Sequence, residues 1–431
     1  MATILRMNAI ITLAISVGLS GALSQTPPAP STVVTIEQAV SEAISNNPGL
    51  LAERLGIPVA EAAVITAGLR PNPVVSVSSD HLDVLGTGFN ETNGAGPSET
   101  ALRLDFPFER GRKRQLRLET ASYSKKIVAA RIADSIRRIR LDVTLACIDL
   151  MESKARLALA NENLASLEGI VQLNTTRAGA GAIAPVELTR SRVAMLQFRS
   201  AVRTAELALV TARIKLQTLL GRKPGDSSID VAGEMRAAPP MLIPDLAQIQ
   251  ASAVASRPDL EAIRLEQARS QADLRLQIAQ GKADYSVGVE YRRQQGVNGT
   301  GNSMGFFASA PLPLFNRNQG EIARANSEEV QVRKNLQVLQ AQIAGEVVTA
   351  YREYDAARQM VSEIERDLLG PSQDARDTTA YVYKAGASSL IDVLDAQRAF
   401  NETMSAYYGA QADFRRAASR LFSVAGQEVI Q

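Results

Sequence analysis

The chain has 431 residues, with 47 basic and 45 acidic side chains, one His, one Cys and no Trp. A formal charge of +2 argues against a nucleic-acid surface, which needs a clustered excess of Lys and Arg. Cys147 alone forms no intrachain disulfide, and Cys147 with His81 makes no zinc site of the usual His/Cys kind, so metalloenzyme and thiol-redox chemistry are set aside.

Arg6 precedes an apolar stretch, Ala9 to Leu19, that is too short to span a bilayer and is followed by Ser20, Gly21, Ala22, Leu23 and Ser24. This is the layout of a secretory signal peptide over 1–24, and no Cys follows it to carry a lipid. A Pro-rich linker fills 25–35, and Thr35 to Glu37 opens an amphipathic helix. No later run reaches the roughly 18 apolar residues that a membrane-spanning helix needs, so any membrane passage must be made by strands.

From there one plan runs twice. Asn47-Pro48-Gly49-Leu50 recurs as Arg257-Pro258-Asp259-Leu260, and Phe106-Pro107-Phe108 with Arg110 as Leu312-Pro313-Leu314-Phe315 with Arg317. Ala180-Gly181 and Glu187 return as Ala385-Gly386 and Asp392, and Leu220-Gly221 as Ala425-Gly426. The offset drifts from about 210 to about 205 residues, as duplication followed by small deletions leaves it. The reading divides the chain into repeats over 36–221 and 245–426, a linker over 222–244 and a tail over 427–431.

Each repeat carries long helical signals. Ile136, Val143, Leu150, Leu157, Leu164 and Val171 recur every seven residues, with Ile132, Ile139, Ala146, Ala160 and Leu167 alongside, a coiled-coil seam. Neither Pro nor Gly occurs from Gln115 to Leu167, so one helix of about 80 Å is predicted at 1.5 Å per residue. Leu336, Ile343, Ala350, Ala357 and Ile364, with Val347, Tyr354, Val361 and Leu368, repeat the pattern. Return helices are predicted over Val186 to Leu220 and Leu390 to Val424.

Four alternating segments punctuate the helices. Leu102, Leu104 and Phe106 alternate with Arg103 and Asp105; Tyr285, Val287, Val289 and Tyr291 with Ser286, Gly288, Glu290 and Arg292; Met304, Phe306, Ala308 and Ala310 with Ser303, Gly305 and Ser309. Pro73 to Leu82 is the fourth, marked by Val75 and Val77. Each has the length of a tilted transmembrane strand with one apolar face. Gly-rich hairpin loops are expected over Asp83 to Ser98 and Gln294 to Asn302. Four strands cannot close a barrel and open edges are not tolerated in lipid, so several chains must share one barrel; three would supply twelve strands and gather the long helices into a hollow tube beneath them.

These features resemble the TolC-type outer-membrane efflux family over nearly all of the mature chain. The most specific stretch is Tyr383-Lys384-Ala385-Gly386-Ala387-Ser388-Ser389-Leu390-Ile391-Asp392-Val393-Leu394-Asp395-Ala396-Gln397 between two long helices. Arg70-Pro71-Asn72-Pro73, Glu109 to Arg114 and Pro311 to Gly320 are similar to the cobalt-zinc-cadmium resistance branch. The resemblance implies a mainly α homotrimer with a membrane β-barrel in the cell outer membrane and a helical barrel across the periplasm. It further implies a periplasmic membrane-fusion adaptor, an inner-membrane pump of the resistance-nodulation-division type, contact with outer-membrane lipid, and heavy-metal cations as cargo. A drug or small-molecule channel of the same family is the alternative, and a periplasmic structural coiled coil is the alternative of another class. No cofactor, resident metal or catalytic group is implied, and no nucleophile-base constellation or Gly-rich phosphate loop points to an enzyme.

By the same resemblance Tyr383, Asp392 and Asp395 fall at the periplasmic aperture, and Gly181, Glu187, Gly386 and Ser389 at tips that dock the adaptor. A family arginine that helps hold the entrance shut falls on Ser388, a departure from the pattern. Rings of Asp392 and Asp395 would draw cations by field focusing, while Ser389-x-x-Asp392 also reads as a capping box. Arg110, Arg112, Lys113 and Arg114 form a basic cluster, read as a solvated ring at a strand-to-helix junction or as a surface toward acidic lipid. Cys147 reads as a small core residue and His81 as a strand-end residue without metal.

Overall fold

The computed structural model describes residues 33–82, 84, 98–224, 229–235, 244–296 and 299–427. The expected signal peptide, most of the 25–35 linker, residues 428–431 of the tail and nearly all of the expected loop from Asp83 to Ser98 lie outside them.

Each repeat opens with short helices. Strand β1 (Val33–Val34) leads to α1 (Ile36–Asn46), which starts at a capping box: the Thr35 hydroxyl accepts the Gln38 N–H at 3.2 Å and the Gln38 side chain accepts the Thr35 N–H at 2.9 Å. Helices α2 (Pro48–Arg54) and α3 (Gly56–Gly68) follow, then β2 (Val74–Asp80), β3 (Glu99–Phe108), the 67-residue α4 (Lys113–Gly179) and the return helix α5 (Pro185–Leu220). Strand β4 (Asp230–Val231) pairs in parallel with β1 across the inter-repeat linker. The second repeat gives α6 (Leu246–Ser256), α7 (Pro258–Gln280), β5 (Tyr285–Gly296), β6 (Gly299–Ser309) and α8 (Gln319–Glu363). A π-helical turn (Ile364–Leu368), α9 (Leu369–Lys384) and α10 (Leu390–Val424) complete it.

Motifs that repeat in sequence meet in space. Pro48 and Pro258 each stand in the first turn of their helix, where a missing N–H costs nothing. The end of the return helix packs against this corner in both repeats. Gly221 (φ 73°) and Gly426 (φ 69°) terminate α5 and α10 there. A Cβ on Gly221 would come within 2.4 Å of the Asn46 carbonyl oxygen, and one on Gly426 within 2.6 Å of the Ser256 hydroxyl.

At 1.5 Å per residue α4 is about 100 Å long, longer than its Pro- and Gly-free stretch, because Gly169 is carried within it. Its seam is buried at Val143, Ala146, Cys147 and Leu150. This core gathers α1, α5 and α10 through Ala39, Ala43, Leu216, Leu220, Phe400 and Met404, and Ile229 and Val231 of the linker plug it. Cys147 is fully enclosed there, and burial pushes its thiol up to about 12. The second repeat has its own core around Leu260, Ile343, Val347, Tyr354, Phe414 and Leu421.

Two expectations are corrected. The second seam does not continue through Leu368, which is 52% exposed. The Leu369 N–H bonds to the Ile364 carbonyl in the π turn, and the extra residue per turn rotates the following side chains off the seam. The expected loop over Gln294 to Asn302 is mostly strand. Gln294 pairs with Gly301, Gln295 with Thr300 and Gly296 with Gly299, so these glycines extend the ladder and only 297–298, outside the described residues, separate β5 from β6.

Candidate functional site

The four long strands form one antiparallel sheet in the order β2-β3-β5-β6. Register puts the apolar alternation of all four on one face. Val75, Leu104, Val289 and Phe306 form one row across the sheet, and Val77, Leu102, Tyr291 and Met304 the next. Toward the helices come Phe106, Val287 and Ala308, then Phe108 stacked on Tyr285 with ring centres 5.6 Å apart. Apart from the half-buried Leu104, these large side chains are exposed, Phe306 to 82%, on a face that no other element among the described residues covers.

The opposite face carries the charges. Arg103 donates to Asp105 at 2.8 Å, and Arg292 donates to Glu290 at 2.9 Å and pairs with Glu99. Phe307 breaks the alternation and lies beneath the Arg103 guanidinium, 4.3 Å from its ring centre. Strands β2 and β6 each have one neighbour, so both ladder edges are open.

At the foot of the sheet the chain turns into its long helices. Arg112 (φ 59°) and Asn318 (φ 64°) precede α4 and α8 in the left-handed region, equivalent positions of the two repeats. The basic cluster divides here: Lys113 is buried, donating to the Lys282 carbonyl at 2.8 Å and to Asp284 at 2.7 Å, while Arg110 and Arg112 stay exposed. The uniform ring read from the sequence is corrected to that extent. Lys113 is drawn in because Asp284 also accepts the Arg110 backbone N–H at 2.8 Å and closes the junction. His81 follows β2 with φ 58° and is exposed.

At the far end, each helix pair turns through five residues, and the turns are built alike. The Ala182 N–H bonds to the Arg177 carbonyl at 2.8 Å and the Gly181 N–H to that of Ala178 at 3.1 Å; Ala387 to Val382 and Gly386 to Tyr383 repeat the pattern at 3.1 and 2.9 Å. This paired closure needs a left-handed residue, supplied by Gly181 (φ 73°) and Gly386 (φ 84°), with no heavy atom within 4 Å of the place a Cβ would take on either.

The return helices begin differently. Pro185 opens α5 behind Ala184, which offers no side-chain acceptor. Ser389 opens α10 with a capping box, its hydroxyl accepting the Asp392 N–H at 3.2 Å while Asp392 accepts the Ser389 N–H and the Ser388 hydroxyl, each at 3.0 Å. Those bonds from Ser389 and Ser388 hold the exposed Asp392 carboxyl below its ordinary 3.8.

Of the residues singled out in the sequence, Asp392 and Asp395 lie one turn apart on the exposed start of α10, Asp395 with Arg398 at 3.3 Å. Glu187 is half-buried in the first turn of α5, in none of the ion pairs among the described residues. Tyr383 lies inside the tip, 4% exposed, among Leu167, Ile170, Ala194, Leu390 and Val393. Its hydroxyl donates to the Asn174 side-chain oxygen at 2.6 Å. Arg177 donates to the Lys384 carbonyl at 2.9 Å, and its guanidinium sits 5.5 Å from the Tyr383 ring.

Asn174 and Arg177 thus tie the two tips together, and sequence reasoning passed over both. For Asn174 a signal was present: it continues the seven-residue series of Ala160 and Leu167, where a polar residue marks a specific partner, whereas Arg177 falls one residue off the seam. Further up, Gln397 donates to Asn163 and Asn163 to Asn401, both at 2.7 Å, a second polar link between α4 and α10.

The family described as "Outer membrane efflux protein" matches residues 39–222 and 250–427. The cobalt-zinc-cadmium resistance protein CzcC of Cupriavidus metallidurans is 24% identical, with 91% of this chain and 90% of that protein covered. The solved structure of the outer-membrane channel OprN superposes with a TM-score of 0.75 at 18% identity, covering 91% and 90% of the two chains. That of CusC does so with 0.72 at 18% identity, covering 94% and 96%.

Proposed function

The chain belongs to the outer membrane efflux protein family, and from that premise we propose that three copies close a twelve-stranded barrel over a tube of helices, forming the outer duct of a tripartite pump. It is an outer-membrane efflux channel with a helical periplasmic portion, and its family and fold are those of channels. The observation that carries the trimer is the sheet: four strands, one largely apolar face and two open edges. In hydrocarbon each unpaired backbone group costs several kcal/mol, so β2 and β6 must find partners on other copies.

In this reading residues 1–24 direct export and are removed. The charged face of the sheet lines the lumen, and the tips at 180–184 and 385–389 face an adaptor and an inner-membrane pump of the resistance-nodulation-division type. Asp392, Asp395 and Tyr383 belong to the aperture, and Gly181, Glu187, Gly386 and Ser389 to the docking tips. Heavy-metal cations are the cargo, a reading supported by the similarity to a cobalt-zinc-cadmium resistance protein. Among the described residues no group of three or more His, Cys, Asp or Glu side chains is placed to hold an ion. A cation would therefore pass over single carboxylates and be released readily.

The deciding experiment compares cells with and without this chain in the presence of the cognate pump. Cadmium, zinc and cobalt tolerance is expected to fall several-fold on deletion. Unchanged metal tolerance with lost drug tolerance would move the cargo to small organic molecules. Recovery of the mature protein as a soluble species without detergent would remove the channel reading altogether.

A further inference from the structure

The foot of the membrane sheet carries exposed apolar side chains and exposed cations that nothing else among the described residues covers. The last apolar row of the sheet is Phe108 stacked on Tyr285, and the chain leaving β6 brings Leu312, Leu314 and Phe315 to the same end of the sheet. These are 79%, 65% and 91% exposed in the turn that leads from β6 to α8. Three large apolar side chains standing free in four residues are not explained by packing among the described residues.

The strand-to-helix junctions at this end also carry five exposed cations: Arg70, Arg110, Arg112, Lys282 and Arg317. The structure sets them side by side. The Lys282 stem lies against Gly111, and the Arg317 carbonyl occupies the place a Gly281 side chain would take. The Leu69 carbonyl, next to Arg70, accepts from Arg117, which pairs with Glu109 next to Arg110. None of the ion pairs among the described residues engages any of the five. The acids at this level are already taken, Glu109 by Arg117 and Asp284 by Lys113.

We infer that this foot is a headgroup collar, binding anionic phospholipids of the leaflet that faces the helices. The collar rests on the outer-membrane reading and continues its lipid-facing surface. Aromatic side chains sit at the headgroup level of a barrel, and long cationic side chains reach past them to phosphate. Arg110 lies two residues beyond Phe108, where β3 ends, so its long side chain starts just past the last aromatic row and is within reach of lipid phosphates. Leu312, Leu314 and Phe315 dip into the acyl boundary, and the cations take the phosphates. Charge complementarity favours an anionic headgroup over a zwitterionic one.

The test uses the full mature chain purified in detergent, following its thermal midpoint with added phosphatidylglycerol, phosphatidylcholine or inorganic phosphate. Phosphatidylglycerol is expected to raise the midpoint by a few degrees more than phosphatidylcholine, and inorganic phosphate not at all. The variant R70Q/R110Q/R112Q/K282Q/R317Q loses that preference, whereas R70K/R110K/R112K/R317K keeps it. L312S/L314S/F315S lowers the shift from both lipids. If the five-fold variant fails to fold, R110Q/R112Q alone decides, with a reduced preference expected.

Equal shifts from the two lipids, or a preference that survives charge removal, would overturn the collar. An equal shift from inorganic phosphate would make it a free-anion site. Dissociation of subunits in lipid-free detergent by L312S/L314S/F315S would make the apolar turn a contact between copies. Export enters none of these readouts, so a failure of the efflux reading and a failure of the collar are separately visible.

Discussion

The long helices of the two repeats cover the same distance in two ways. In the first repeat α4 runs 67 residues without interruption. In the second, the same path is divided into α8, a π turn and α9 of 45, 5 and 16 residues, one fewer in sum. Gly370-Pro371 follows the π turn, where Pro371 can donate no helical hydrogen bond. Within the turn, Glu365 accepts from the Tyr407 hydroxyl at 2.9 Å and the Gln411 amide at 3.0 Å, both on α10. Duplication preserved length and the closing turn at the tip, but only one copy kept a continuous strut. The other carries a break at a fixed place, bound to its return helix by a carboxylate.

The largest expected effect comes from moving the break. Ser166 of α4 stands at the level of Pro371, counted back by the offset of the tips. Ser166→Pro removes a bond from a helix with no π turn to absorb the clash, and a loss of about 3 kcal/mol or more is expected. Pro371→Ala is expected to change stability by less than about 1 kcal/mol. Thermal midpoints of the two variants in detergent check this; similar losses would mean that the copies tolerate interruption alike.

The glycines that end the return helices sharpen the comparison at its root. Gly221→Ala drives a methyl against the Asn46 carbonyl, which belongs to the backbone, whereas Gly426→Ala first meets the Ser256 hydroxyl, which can rotate. Both pay for a left-handed backbone, so about 2–3 kcal/mol is expected for the first and about 1–2 for the second. Chemical unfolding of the two variants gives the order.

How much of this was legible in the sequence depends on how local the cause is. Strands and faces were readable because alternation is local, and Val75, Leu104, Val289 and Phe306 declare the same face independently. The repeat was readable because Asn47-Pro48 and Gly221 pack on each other, so both motifs survive together. The π turn was not, since Ile364 and Leu368 keep the seven-residue spacing while one added residue turns Leu368 outward. Gly296 and Gly299 looked like loop residues because glycine marks turns, yet here they face each other across the ladder. Asn174 and Arg177 escaped for another reason: their partners are more than 200 residues away, in the other repeat.

That cross-repeat link supplies the next prediction. Tyr383→Phe leaves the buried Asn174 oxygen without its donor, a cost of about 1–3 kcal/mol, read as faster amide exchange at both tips. Tyr383→Phe with Asn174→Leu removes both polar partners and is expected to recover much of that loss. Exchange confined to the α9–α10 tip would show that the tips are stabilised separately.

The smallest effect distinguishes the tips themselves. Ser389→Ala removes the hydroxyl that accepts the Asp392 N–H and is expected to cost about 1 kcal/mol of local stability, seen as faster exchange in the first turn of α10. Ala184→Ser offers α5 the acceptor it lacks and should slow exchange there by a comparable factor. Acid separates the two helix starts further. The Asp392 carboxyl is held below its ordinary 3.8 by bonds from Ser389 and Ser388, so its contribution is present above that value and is lost as pH falls through the lower folded one. Protection of the α10 start should therefore hold from neutral pH down to about 3.8 and decline only beneath it, while Ala184 gives the α5 start no acidic cap to lose. Loss of α10 protection already near pH 5 would mean that the capping box does not set the stability of this tip.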